Sequence, residues 1–285
     1  MSFLAKATKP GANPAPPIVT VVGSPGTGKT SFAGMFPGAL FIQAENAGTV
    51  FETWAQDVQP TMLPVLPKAA KDEAGNITQS PYKVLMDQLR EVATADHEFK
   101  TLVIDSVTAL SRKLETEIAL TDDVATVADA AGGFHKGYTQ LASMHAEIIY
   151  ACEMIRKRKN MAVVFLAHAG IVKVKNRPDE GAEYTVYSLD MHKDSAQAYI
   201  SNSDAVVYIK KEEFIQGAES NRKGQTTKFG RAMQTGERVL ITSGDGLVGY
   251  VAAKSRYPMP VEIPLPQGEN PLLQYIPFFS QAANK

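Results

Sequence analysis

Gly23-Ser24-Pro25-Gly26-Thr27-Gly28-Lys29-Thr30 matches the spacing G-x-x-x-x-G-K-[ST] at every fixed position. These residue types, in this order, suit a polyphosphate. Gly23, Gly26 and Gly28 permit a tight turn whose amide N–H groups face inward on an anion. Lys29 carries a point charge for β- and γ-phosphates, and Thr30 offers a hydroxyl to Mg²⁺. With Ser24, Pro25, Thr27 and the following Ser31, these residues form the nucleotide-binding candidate. The competing reading is a chance glycine-rich turn. The flanks argue against it: Ile18-Val19-Thr20-Val21-Val22 is an apolar β-branched run that predicts a buried strand, and residues 31–36 continue as a short helix.

Three further side chains follow apolar runs. Asp105 ends Leu102-Val103-Ile104, where a carboxylate can hold Mg²⁺ through water or, alternatively, cap the next helix. Glu45 follows Ala39-Leu40-Phe41-Ile42-Gln43 and either polarises a water for attack on a γ-phosphate or is a solvated loop acid. His168 follows a run over 161–166 and either contacts the γ-phosphate or a water, or is a structural histidine. Ligands of open α/β sheets bind outside the C-terminal ends of the strands, where all three would lie.

The elements that must position these groups alternate. Strands are expected at 18–22, 39–43, 101–105 and 161–166. Helices are expected at 49–56, 81–93, 107–120 and 135–159. The last ends in Arg156-Lys157-Arg158-Lys159, cations suited to the helix dipole. Residues 171–174 and 184–187 read as the arms of a hairpin, and further strands are expected at 205–209, 238–242 and 247–252. This order predicts an α/β protein with a mainly parallel central sheet flanked by helices and C-terminal antiparallel strands. The expected division is a flexible arm over 1–17, a core over 18–257 and a proline-rich tail over 258–285.

The 285 residues are 44% hydrophobic and 21% charged, enough for a sizeable core. A net charge of -1 supplies no global basic field, so nucleic acid would have to bind at local patches. Cys152 is the only cysteine, which excludes an intrachain disulfide and suggests a reducing compartment. Residues 1–17 do not read as a signal peptide, and no apolar run nears the ~20 residues of a membrane span. These features place the protein in the cytoplasm, away from membranes.

Phe41-Ile42-Gln43-Ala44-Glu45-Asn46-Ala47 resembles the RecA segment that carries the catalytic glutamate. Val103-Ile104-Asp105-Ser106-Val107-Thr108-Ala109-Leu110 is similar to the RecA Walker B strand and its helix. His168 stands where RecA has a nucleotide-sensing glutamine. Ala253-Lys254-Ser255-Arg256-Tyr257 resembles an element whose cations reach a neighbouring subunit's phosphates. Order and broad spacing hold over 18–257, and the nearest resemblance is to compact phage nucleotide-binding proteins with a RecA-like core. Some of these act as single-strand annealing recombinases.

The resemblance implies a RecA-like P-loop NTPase core that uses ATP and Mg²⁺, with Glu45 as catalytic glutamate and Lys254 and Arg256 acting in trans. It also implies a homo-oligomeric ring or filament, single-stranded DNA and a single-strand-binding protein as partners, and a bacterial host cytoplasm. The axis-facing loops of that architecture correspond to 121–136 and 170–189, so Lys136, Lys173, Lys175 and Arg177 are the DNA-binding candidates. Lysines and tyrosines interleave in the second loop, as suits single strands, although an ordinary solvated hairpin has the same composition. Phe3-Leu4-Ala5 is a candidate for docking on a neighbour. The basic stretch 221–228 has no readable role. A motor ATPase and a nucleotide-dependent switch remain the alternative functions.

Overall fold

A computed structural model of the chain describes residues 14–174, 183–216, 219–220, 226–228, 231–244 and 251–280. In chain order the elements are β1 (Ile18–Gly23), α1 (Lys29–Gly34), β2 (Ala39–Gln43), β3 (Thr61–Met62), β4 (Ala70–Lys71), β5 (Ile77–Gln79), α2 (Pro81–Thr94), β6 (Thr101–Asp105), α3 (Val107–Thr121) and α4 (Lys136–Lys159). There follow β7 (Ala162–Val174), β8 (Tyr184–Leu189), α5 (Lys193–Asn202), β9 (Ala205–Gln216), β10 (Glu219–Ser220), β11 (Thr226–Lys228), β12 (Arg231–Ile241), β13 (Lys254–Ser255), β14 (Glu262–Pro264), α6 (Leu272–Tyr275) and α7 (Pro277–Ser280).

The main sheet runs β14-β12-β9-β1-β7-β6-β2-β3. From β9 to β3 every neighbouring pair is parallel, whereas β12 and β14 join antiparallel at one edge. The expected sheet is therefore the observed one. Its central strands are continuous apolar runs because both faces are covered. Along β1, Ile18 and Val22 face a layer built by α2, α3, α4 and α5, whereas Val19 and Val21 face Phe32 and Phe36, beside α6 and α7. Phe165 lies fully buried on the first face, and its truncation to alanine removes contacts of the kind that cost about 3–5 kcal/mol.

Local signals set the helix boundaries. Ser80 caps α2 by accepting from the Lys83 amide, with Pro81 in the first turn, and Ser106 caps α3 by accepting from the Ala109 amide. The basic last turn of α4 is as the sequence suggested. Residues 49–56 differ from expectation. They form short 3₁₀ turns at Gly48–Phe51 and Gln56–Val58, because the Phe51 ring is drawn edge-on against both Phe41 and Trp54. The strand expected to stop at 166 continues to Val174, where its far half leaves the sheet and pairs with β8 as the anticipated hairpin. Of the strand expected at 247–252, residues 247–250 lie outside the described residues, and Val251 makes an isolated bridge to Tyr187. Beyond residue 257, β14 extends the sheet and Leu272, Ile276 and Phe279 are buried against it. Among the described residues no helix is long and apolar enough to cross a membrane.

Candidate functional site

Strand register brings the candidate residues together. Gly23 at the end of β1 lies opposite His168 on β7. Asp105 at the end of β6 lies opposite Leu166 on one side and Gln43 of β2 on the other. Glu45 follows β2 by two residues, so four adjacent parallel strands deliver their polar termini to one edge.

The glycine loop closes between β1 and α1. Gly26 and Gly28 take left-handed backbone angles, with φ of 74° and 87°, which a side chain would resist. Thr27 folds back so that its hydroxyl donates to the Ser24 carbonyl at 2.9 Å. The Lys29 ammonium donates to the Gly23 carbonyl at 2.8 Å and the Ser24 carbonyl at 3.1 Å, so it lies along the loop. Burial lowers the pKa of Lys29, while Asp105 and Glu45 oppose that shift. A buried ammonium whose hydrogen bonds, among the described residues, go to loop carbonyls is a site that an anion would complete.

Asp105 is buried, and its carboxylate accepts from the Thr30 hydroxyl at 2.8 Å. The capping alternative fails because the neighbouring Ser106 caps α3. Burial pushes the Asp105 pKa up to about 6, with the Thr30 hydrogen bond pulling the other way and the Glu45 charge adding to the rise. A cation at this point would relieve that cost. Among the described residues no three His, Cys, Asp or Glu side chains gather as a metal site of their own. Thr30 and Asp105 thus fit Mg²⁺, which takes one or two protein ligands and completes its shell with phosphate oxygens and water.

Glu45 is a partnered acid rather than a freely solvated one. Its Oε1 accepts from the Ser106 hydroxyl at 2.8 Å and lies 3.3 Å from His168 Nε2. The His168 hydrogen bond leads the causes that lower its pKa to about 2, and Ser106 adds to it against the opposing effect of burial. Two contacts place these groups. Gln43 donates to the Leu63 carbonyl and accepts from the Ala47 amide, which fixes the turn that carries Glu45. The His168 amide donates to the Thr108 hydroxyl at 3.0 Å, which ties β7 to the first turn of α3.

Other candidates lie elsewhere. Lys254 and Arg256 do not join this site within their own chain. β13 pairs with Ala205 and Val206 at the start of β9, the end of the sheet opposite the glycine loop. There Lys254 donates to the Ser201 carbonyl and Arg256 pairs with Asp204 at 2.9 Å. Lys136 is exposed at the start of α4 and Lys173 is exposed on the hairpin, whereas Lys175 and Arg177 lie outside the described residues. So do Phe3-Leu4-Ala5 and most of 218–230.

Arg238 was not anticipated. From β12 its guanidinium donates to the Thr27 carbonyl at 3.3 Å, and a Cβ on Gly28 would lie 2.3 Å from its Nη1. The strand around it was legible, but nothing in its local pattern tells which loop, more than two hundred residues earlier, the side chain would meet. Phe51 is core, whereas Trp54 is half-buried and faces a cleft.

A family model described as AAA domain matches residues 15–257. None of the curated proteins compared with the chain matches it.

Proposed function

We propose, for a chain that belongs to the AAA-domain family, that its ATPase-type domain hydrolyses ATP with Mg²⁺ and couples turnover to single-stranded DNA in annealing or strand pairing. The observation that carries the hydrolytic reading is the convergence of Lys29, the Thr30–Asp105 pair and Glu45 at one strand edge.

Each group has a defined task. The loop amides hold the phosphates, and Lys29 exchanges its carbonyl partners for β- and γ-phosphate oxygens. Thr30 and Asp105 would hold Mg²⁺, which would supply charge stabilisation for the transferring phosphoryl group. Glu45 orients the attacking water and accepts its proton. His168 and Ser106 favour the ionised carboxylate and fix its orientation, and loss of those hydrogen bonds would raise its basicity. His168 therefore acts as the restraint on Glu45.

The same strand supports coupling to DNA. β7 runs unbroken from His168 to the hairpin, where Ile171, Val172 and Lys173 are exposed. Occupation of that hairpin by a single strand would shift β7 and with it the His168–Glu45 contact. Lys254 and Arg256, at the far end of the sheet, would complete a neighbouring subunit's site in a ring or filament.

The test is ATP turnover with and without single-stranded DNA. We expect stimulation by DNA, loss of nucleotide binding in Lys29→Ala, and retained binding with turnover reduced about 10²–10⁴-fold in Glu45→Gln. Turnover indifferent to DNA would overturn the coupling and favour a motor or switch working with a protein partner. Full turnover in Glu45→Gln would remove the assigned base.

A further inference from the structure

Arg238 follows a break in the register of β12. β1 ends at Gly23, opposite Ile209 of β9, and Ile209 in turn faces Leu240 of β12. Two residues further out Arg238 faces Lys211, past the end of β1, where Lys211 and Thr27 line the same small pocket. Just before this point Gln234 still faces Glu213, so Thr235, Gly236 and Glu237 bulge opposite Glu212 alone. Gly236 takes a φ of 87°, and the Thr235 hydroxyl accepts from the Glu237 amide at 3.1 Å, which closes the bulge. On the outer side the Arg238 carbonyl accepts from the Leu265 amide at 2.8 Å. Bulges beside active sites re-aim side chains. This one, with the Arg238 backbone held by strands on both sides, delivers a guanidinium to the Thr27 carbonyl.

That carbonyl is one end of a planar peptide whose other end is the Gly28 amide, and the two point in opposite directions. A carbonyl fixed towards Arg238 therefore fixes the amide away from it, and a charged donor holds a carbonyl more firmly than a neutral one. The other ties of the loop are its own: Lys29 donates to the Gly23 and Ser24 carbonyls, and the Thr27 hydroxyl donates to Ser24. We propose that Arg238 is a positioning residue of the ATPase site, holding the Thr27–Gly28 peptide from β12 so that the Gly28 amide faces the bound phosphates. The inference rests on the nucleotide reading above and adds a residue that touches the loop rather than the ligand. When Lys29 exchanges its carbonyls for phosphate oxygens, the Arg238 tie remains. It is made in the ground state and the transition state alike, so it acts on binding rather than on the chemical step. Gly28 gains a second reason to be glycine, since a Cβ there would meet the guanidinium.

The experiment uses the full chain with Mg²⁺ and ATP. Arg238→Gln should raise both Kd and KM for ATP about tenfold, with kcat changed less than about threefold and the unfolding midpoint unmoved. Arg238→Lys keeps a charged donor and should recover most of the loss. A second readout needs no turnover. Thr27-Gly28 and Thr235-Gly236 are the two Thr-Gly pairs of the chain, so carbonyl-labelled threonine with nitrogen-labelled glycine gives two amide signals, one from the loop and one from the bulge. Without nucleotide, Arg238→Gln should displace the Gly28 signal and Arg238→Lys should return it towards the parent position. Unchanged Kd in Arg238→Gln, a loss that Arg238→Lys does not relieve, or a Gly28 signal that stays in place would each overturn the inference and leave the phosphate loop standing. So would a fall in kcat at unchanged KM, or an unfolding midpoint that drops in step with affinity. A parent chain that does not bind ATP, or ATP binding that survives Lys29→Ala, would overturn the nucleotide reading and this inference with it.

Discussion

Asp105 and Asp204 are both buried aspartates, and they stand at opposite ends of the same parallel strands. Asp204 is saturated. Its Oδ2 accepts from the Ile18 amide at 2.8 Å and pairs with Arg156 at 3.1 Å, its Oδ1 pairs with Arg256, and its backbone bonds to Ile18 and Arg256 as well. Asp105 has a single neutral hydroxyl donor and a pKa pushed up to about 6. One carboxylate is a fastening that ties β1, α4 and the segment after β13 together. The other is kept short of partners, at a cost to the free protein that a cation would relieve. Buried charge alone does not distinguish a functional site from a structural one; the count of donors around it does.

Substitutions at the two ends should separate these roles. Asp204→Ala leaves Arg156 and the Ile18 amide without their acceptor and should cost about 3–5 kcal/mol in denaturant unfolding. A cost under 1 kcal/mol would mean that the cluster fastens nothing. Asp105→Asn should do the reverse. Between pH 4 and 6 the folded protein holds a proton on Asp105 that the unfolded chain has released, so stability falls as pH rises through that window. Without Mg²⁺ and nucleotide, the asparagine variant should therefore be more stable than the parent by about 1–3 kcal/mol at pH 7.5, with the gap closing below pH 4. Its ATP turnover should be lost. A variant less stable at pH 7.5 would show that the ionised carboxylate is well satisfied after all.

The smallest effect on the fold should come from Arg256→Gln. That side chain is 64% exposed, so its ion pair with Asp204 should contribute less than about 1 kcal/mol. If Arg256 also serves a neighbour, turnover at assembling concentrations should fall tenfold or more while the unfolding midpoint hardly moves. Unchanged turnover would leave it as a second fastener on Asp204.

Much of the site was legible because its signals are local. The glycine loop, the strand before it and Asp105 at a strand end can all be read within a few residues. Glu45 was legible as a residue, but its state was not: its hydrogen bonds come from Ser106 and His168, 61 and 123 positions away. Residues 49–56 form 3₁₀ turns in place of the expected helix, because the ring contacts of Phe51 that tighten the turns come from outside the local pattern. The strand at 162–174 outruns the apolar run that announces it, because its far half pairs with β8 in the hairpin rather than lying in the buried sheet.

By itself, the sequence determined the parallel sheet, the phosphate-holding loop and the carboxylate at the tip of β6. Apolar runs, glycine positions and helix caps act over a few residues and leave the chain little choice. The tertiary structure decided which charges meet. It sent Arg238 to the glycine loop and Arg256 to the far end of the sheet, locked Glu45 between Ser106 and His168, and withheld partners from Asp105. Those outcomes depend on strand order and register, and the order that places β9 beside β1 and β6 beside β7 is a property of the assembled sheet that no single segment encodes.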